Sequence, residues 1–315
     1  MTNLLELLMD IQTITAFIEV AHHKSFSLAA ETLFITQPAI SKRITALETS
    51  LGVRLFNRIG RRISLTEAGR ALLPRVQALR TEIEDIRRFA SNLSGGINGL
   101  LTMGTSHHIG LHRLPLVLQS FKTDYPDVQL DIHFEDSEQA CHAIERGDLE
   151  LAVVTLPEQV SRQTEVHTLW IDHLHIVVST RHPLAQMQSV DLGTLMRFPC
   201  ILPSRDTYTY HILQRSLEPL GLRPDVQMST NYLETLKMLV SSGFGWSLLP
   251  HTMLDSHIAA LNTPLKLQRR LGTVIHTRRT LSNAAEAMLY TLAQFADSSQ
   301  PPVTEPRAWT PASRP

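Results

Sequence analysis

The chain reads as an α/β protein in three parts: an N-terminal all-α winged helix-turn-helix, a long linker helix, and a region of two α/β lobes. Three observations lead there. Residues 25–62, SFSLAAETLFITQPAISKRITALETSLGVRLFNRIGRR, hold two short helical patterns around a tight turn, followed by arginines with no acid among them. Leu72, Val76, Leu79, Ile83, Ile86, Ala90 and Leu93 alternate steps of four and three residues, the spacing of a coiled-coil seam. Beyond residue 99, short apolar runs alternate with helical periods in β-α-β-α-β order.

Composition bounds the rest. A chain of 315 residues that is 43% hydrophobic and 19% charged can fill two or three cores. A net charge of −1 confines any nucleic-acid site to a local basic patch. Two cysteines, Cys141 and Cys200, make no disulfide framework and suit a reducing compartment. No signal segment and no apolar run of membrane-spanning length is legible, so a cytoplasmic protein without a membrane partner is expected.

In the first 66 residues, Ile14, Phe17, Ile18 and Ala21 predict a helix over 11–23. Ser27 reads as the cap of the next helix, in which Ala29, Ala30 and Leu33 face inward. Thr36 reads as the N-cap of a third helix, with Pro38 in its first turn, where the missing N–H is harmless. Ile40, Ile44 and Leu47 form its buried stripe. Opposite lie Pro38, Lys42 and Thr45, flanked by Gln37 and Ser41 on one side and Arg43 on the other. Gln pairs with adenine, Ser and Thr with donor or acceptor edges, and Lys and Arg with guanine or phosphate. Arg54, Arg58, Arg61 and Arg62 follow, and Arg61-Arg62 before Ile63-Ser64-Leu65 suggests a hairpin wing on the DNA backbone. A merely solvated polar helix and charge run is the plainer alternative. The arginines' place directly after the helix favours the DNA reading.

These residues resemble the LysR-type transcriptional regulators. The likeness runs through Phe17, Ala21, Ser25-Phe26-Ser27, Ala29-Ala30, Leu33, Gln37-Pro38-Ala39, Ser41, Leu47-Glu48, Leu51-Gly52, Leu55-Phe56, Arg58, Arg61-Arg62 and Leu65-Thr66-Glu67-Ala68-Gly69. More weakly, it extends to about residue 296. The resemblance implies that Gln37, Pro38, Ser41 and Lys42 read bases and that Arg58, Arg61 and Arg62 contact the backbone or wing region. Ser27, Arg43 and Thr45 complete the expected DNA-facing set. Lys42 stands where many relatives carry Arg, and it lacks the bidentate fork.

The seam from Leu72 to Leu93 needs a partner, and the simplest is the same helix of a second chain. The alternative is burial against its own chain. Pro74 is awkward inside a helix. By resemblance this is the dimerisation linker, with Leu72, Val76, Leu79, Ile83, Ile86 and Leu93 at its interface and residues 91–99 as a flexible joint.

Further on, strands are predicted at 100–104, 128–134 and 151–154, with helices over 109–123 and 137–146. This order implies a parallel sheet. A second series takes in strands at 174–178, 200–202 and 246–249 and helices at 211–220 and 232–242. Val274-Ile275 and a helix over 284–295 return to the first half. Two such lobes enclose a cleft, and ligands sit at strand ends near helix N-termini. Thr105, Ser106, His107, Thr155, Ser204, Arg205, Thr207 and Asn231 are the candidate effector-binding residues, and their hydroxyls and helix-start N–H groups favour an anion. The resemblance implies a fold like the type 2 periplasmic binding proteins. Similarity over residues 105–114 to sulfur- and nitrogen-assimilation regulators adds a sulfur oxyanion as one candidate.

Fifteen histidines, among them the group His107, His108 and His112, match no metal-binding spacing, so neither metal nor cofactor is expected. No nucleophile motif is present, so no catalytic residue is expected. The expected organisation is a DNA-binding domain at 1–66, a linker helix at 67–94, an effector domain at 95–296 and a disordered proline-rich tail at 297–315. Within the effector domain, lobe I takes about 99–163 and 270–296, and lobe II about 164–269. The expected function is sequence-specific transcription regulation gated by a small anionic effector. The expected partners are double-stranded promoter DNA, further copies in a homodimer or homotetramer, and RNA polymerase. The alternatives are an enzyme or solute-binding protein built on the two lobes, and an architectural DNA protein without an effector.

Overall fold

The computed structural model describes residues 11–59, 62–93 and 95–297. Arg61 and the proline-rich tail beyond Asp297 lie outside the described residues. The chain divides into two compact units, Met1–Ala90 and Ser91–Pro315.

In the first unit, helices α1 (Ile11–His23), α2 (Phe26–Thr32) and α3 (Gln37–Leu51) pack around a hairpin of β1 (Phe56–Ile59) and β2 (Arg62–Leu65). This hairpin is the expected wing. Phe17, Ala29, Ile40, Ile44, Leu55 and Phe56 fill the core. Phe17 and Phe26 meet the ring of Phe56 edge-on at 5.5 and 5.9 Å, a favoured aromatic geometry. Thr36 caps α3 as expected, accepting from the Ala39 N–H. Ser25, not Ser27, caps α2 by accepting from the Leu28 N–H. Phe26 is buried and must begin the helix, which leaves Ser25 extended at φ −152° and Ser27 exposed in the first turn.

The joint between α3 and the wing depends on two glycines and an acid. Gly52 ends α3 in the left-handed region at φ 69°. The Glu48 carboxylate accepts from the N–H groups of Leu55 and Phe56 at 2.7 and 3.1 Å. A Cβ on Gly69 would stand 2.2 Å from the Leu55 carbonyl oxygen. Helix α4 (Glu67–Leu93) continues through Pro74 for 27 residues. Its first turns place Leu72, Leu73 and Val76 against the head core. Ile86, Phe89 and Leu93 stay exposed at 60, 58 and 74%.

The second unit is a seven-stranded mixed sheet with helices and a small satellite sheet. β3 (Gly99–Thr105) runs parallel to β4 (Val128–Phe134) and β5 (Leu151–Thr155), with α5 (His107–His112), α6 (Leu114–Asp124) and α7 (Ser137–Arg146) between them. The single helix expected over 109–123 breaks at Arg113, and Pro115 sits in the first turn of the piece that follows. Two long strands, β6 (Thr164–Ser179) and β11 (Leu267–His276), pair antiparallel with each other, so the sheet is not parallel throughout. β11 returns from the far lobe and enters between β5 and β6.

These two strands serve both lobes. Leu169 and Trp170 of β6 and Leu271 of β11 join the core of β3, β5, α6 and α11 (Asn283–Gln294). Leu174, Ile176 and Val178 of β6 and Leu267 of β11 join a different core. That second core includes α8 (Leu192–Leu195), β7 (Cys200–Leu202), α9 (Tyr208–Leu217) and Trp246. β7 pairs with β8 (Val226–Ser229), while β9 (Ser247–Pro250) and β10 (Ile258–Ala260) extend β6. Helix α10 (Leu233–Ser241) packs behind them. Asp172 and Arg269 face each other in register where the strands pass from one core to the other.

The ends of this unit meet. Asn92 donates to the Leu281 carbonyl at 2.8 Å and accepts from the Asn283 N–H at 2.9 Å. The Trp170 indole N–H donates to the Phe295 carbonyl at 2.7 Å. Among the described residues, no helix is long and apolar enough to cross a membrane.

Candidate functional site

Two surfaces carry the expected chemistry. On the first unit, Ile40, Ile44 and Leu47 turn α3 inward. That leaves Gln37, Pro38, Lys42 and Thr45 exposed and Ser41 half-buried on the outer side. Arg43 is placed differently: its guanidinium donates to the Gln12 side-chain oxygen on α1 at 2.5 Å. Ser27 is exposed on α2. Arg58 and Arg62 lie opposite Ile63 and Ile59 in the hairpin register. Polar side chains near the start of a helix backed by an apolar stripe have the form of a major-groove reader.

On the second unit, a cleft of about 490 Å³, counting its open mouth, lies between the lobes. Of the expected effector residues, the fold brings Ser106, His107, Thr155, Thr207 and Asn231 to its wall. Thr105 is buried in the sheet, donating to the Val153 carbonyl at 2.8 Å. Ser204 offers its backbone N–H to Asn231 and its carbonyl to Thr207, and Arg205 is exposed; none of these three lines the cleft.

Residues the sequence reading left out complete the wall: His108, Asp136, Ser137, Glu138, Thr209 and Arg269, with apolar Pro203 and Leu233. Asp136, Ser137 and Glu138 follow β4, so the strand-end rule that found Ser106 and Thr155 also points to them. The two acids join the lobes. Asp136 accepts from the Asn231 amide at 2.7 Å, and the Glu138 carboxylate accepts from the Tyr208 N–H at the start of α9. Ser137 accepts from the Thr155 N–H at 3.1 Å. Burial raises the Glu138 carboxyl above the usual range, against the lowering effect of the Tyr208 hydrogen bond.

At the floor, Arg269 donates to the Asp172 carboxylate at 2.9 Å and to the Thr209 hydroxyl at 3.2 Å. Its second terminal nitrogen stands 2.8 Å from Asp172 without an aligned hydrogen bond. Arg113 approaches the other Asp172 oxygen at 3.7 Å and lies over the Trp170 ring. Asp172 sits in the apolar-rich second half of β6, whereas Arg269 stands beside a second arginine, Arg270, so the sequence singles out the acid more clearly than its partner. His108 is 5% exposed, and neither ring nitrogen has a hydrogen-bond partner. Burial first, then the charges of Arg269, His112 and Arg113, lower its pKa to about 3. The two cysteines are buried, and burial pushes their thiols up to about 11 for Cys141 and about 12 for Cys200, away from the reactive thiolate.

Comparison with known proteins bears on both surfaces. Residues 11–70 match the family described as bacterial regulatory helix-turn-helix protein, lysR family, and residues 94–297 match the LysR substrate binding domain. A probable RuBisCO transcriptional regulator of Synechocystis is 28% identical over 300 residues, covering 91% of this chain and 86% of that protein. An uncharacterized HTH-type transcriptional regulator from an ibpB-leuC intergenic region of Azotobacter vinelandii is 60% identical over 107 residues, 34% of this chain and 74% of that protein. In fold, the chain is similar to CbnR in complex with its target DNA, at TM-score 0.62 and 18% identity over 91% of this chain and all of that one. It is also similar to a full-length OxyR variant from Pseudomonas aeruginosa, at TM-score 0.64 and 21% identity over 93% of this chain and 99% of that one. With a DNA-reading head and a two-lobed substrate-binding domain both matched, the chain belongs to the LysR family of DNA-binding transcriptional regulators.

Proposed function

We propose that this regulator works as a cytoplasmic homo-oligomer on promoter DNA and binds its effector without converting it. The observation that carries the oligomer is the apolar row Ile86, Phe89 and Leu93, exposed on a helix that would otherwise leave it in water. Paired α4 helices set two heads on a two-fold operator; tetramers and contact with RNA polymerase follow from the family alone. In this reading Gln37, Pro38, Ser41 and Lys42 read bases. Arg58, Arg61 and Arg62 hold phosphates, while Arg43 serves the head by fixing α3 on α1. The domain limits follow the same logic: a head to residue 66, a linker to 94, an effector domain to 296 and a tail beyond.

The effector enters the cleft as a small anion. Glu138 and Asp136 now occupy the Tyr208 N–H and the Asn231 amide, where an effector's acid group would bind. Taking over those bonds would loosen contacts between the lobes, and the ligand's preference for that state would shift the equilibrium. Binding to the intergenic DNA beside the gene, measured across salt concentrations, tests the head. Lys42→Ala should weaken specific binding and reduce the salt dependence by about one counterion. Ser41→Ala should relax the sequence preference. Specific binding indifferent to both changes would contradict the assignment of α3. A turnover screen with small acids tests the second half, because a sensor returns its ligand unchanged.

A further inference from the structure

The histidines of α5 lie against the opposite lobe. His108 and His112 are one helical turn apart, with ring centroids 4.7 Å from each other. Glu234, in the first turn of α10, brings a carboxylate oxygen to 3.1 Å from the Nε2 of His112. One ligand atom from each of the three side chains lies within 4.8 Å of the other two. We propose that His108, His112 and Glu234 form a site for a late first-row divalent metal ion, of the Zn²⁺ or Ni²⁺ class, that ties the two lobes together.

The independent pointer is His108. The residue is only 5% exposed, and both of its ring nitrogens lack a hydrogen-bond partner. A buried imidazole without a partner is rare and calls for a ligand, a water or an ion. Tetrahedral Zn²⁺ with bonds of about 2.0–2.1 Å sets its ligand atoms roughly 3.3 Å apart. His112 and Glu234 already stand at 3.1 Å. Both are more than a third exposed, so they are free to close on His108.

The surroundings select the ion. Arg113 and Arg269 share the single carboxylate of Asp172, so the neighbourhood is cationic. An ion held mainly by charge, such as Ca²⁺ or Mg²⁺, gains little there and wants oxygen ligands. An ion that forms directional bonds to neutral imidazole is favoured. Three protein ligands would leave a fourth position open, as in sites that also take a substrate group.

The test is a Zn²⁺ titration of the full chain in metal-free buffer, with bound metal measured after dialysis. A second group, Glu19, His22 and His23 on α1, meets the same distance criterion, so the background carries His22→Ala and His23→Ala. The expected result is one Zn²⁺ per chain. His112→Ala and Glu234→Gln should each weaken binding by at least the ~10- to 100-fold that follows loss of an outer-shell partner. Trp fluorescence verifies the fold of each variant. No binding in the background protein, equal binding of Ca²⁺, or a Zn²⁺ affinity unmoved by both substitutions would overturn the site. The inference refines the reading of the two lobes as a sensor, yet metal binding is read without DNA. Operator binding without Zn²⁺ binding removes the metal site and leaves the regulator, and the reverse result does the opposite.

Discussion

Removing the Asp172 carboxylate should be among the most damaging single changes in the effector unit. Asp172 is 2% exposed, and its partner Arg269 is 6% exposed. Asp172→Ala leaves the Arg269 guanidinium with the Thr209 hydroxyl alone, and Arg113 loses the carboxylate 3.7 Å away. A buried charge stripped of its partner typically costs about 3–5 kcal/mol, much of it the desolvation of the survivor. The double change Asp172→Leu with Arg269→Met removes both charges, and should cost about 1–2 kcal/mol less than Asp172→Ala. The assay is urea unfolding followed by tryptophan fluorescence in a Trp309→Phe background. Trp170 and Trp246 are then the only tryptophans, one in each lobe core, and residues 1–90 contain none. The unfolding signal therefore reports the effector unit. A loss under about 1 kcal/mol for Asp172→Ala, or a double variant as damaged as the two singles added, would refute the reasoning.

Other expectations follow from the same geometry. The His108 pKa of about 3 lies below the ordinary 6.5, so the folded chain refuses a proton that the unfolded chain accepts below pH 6.5. That stability is fully present above pH 6.5 and is lost as pH falls toward 3, with about 2 kcal/mol lost between pH 7 and 5. Measured with chelator present, His108→Leu should gain about this much stability relative to the parent between pH 7 and 5; a difference constant with pH contradicts the burial argument. Gly69→Ala gains helix propensity of about 0.8–1 kcal/mol but drives a Cβ into the Leu55 carbonyl, so a net loss of about 1–3 kcal/mol is expected in thermal melts of the head. Phe89→Glu should shift sedimentation from oligomer toward monomer, and an unchanged profile would place the interface elsewhere. Glu138→Gln should weaken competition for the Tyr208 N–H, so an anionic effector, once found, should bind more tightly; weaker binding would mean that Glu138 helps to hold it.

The head was legible because its signals are local. Thr36 with Pro38 and the stripe Ile40, Ile44 and Leu47 each act within one or two turns. Ser27 is not the cap because the burial of Phe26 starts α2 at that residue, which sets Ser25 in the capping position. In the effector unit, Ser106 and Thr155 were legible by their place at strand ends and Asn231 by its place before a helix, and Asp136 and Glu138 follow the strand-end rule after β4. β6 was read only over 174–178 because its apolar pattern serves one core in its first half and another in its second. The polar pairs of the effector unit join distant segments: Arg269 to Asp172, Glu138 to Tyr208 and Glu234 to His112. No local period encodes such pairings; Asp172 in the apolar-rich half of β6 is the nearest hint.

The sharing of β6 and β11 between two cores has a consequence for synthesis. The head has all of its core residues by Val76, early in translation. Neither lobe is complete until β11 has left the ribosome, and the first lobe also waits for α11, which ends at Gln294. Domains generally fold as units during synthesis, N-terminal ones first. A nascent chain of this protein therefore presents a finished DNA-reading surface for most of its translation with its sensor still unbuilt. Chains cut short between the end of α4 and α11 would leave heads able to occupy an operator and unable to respond to a signal.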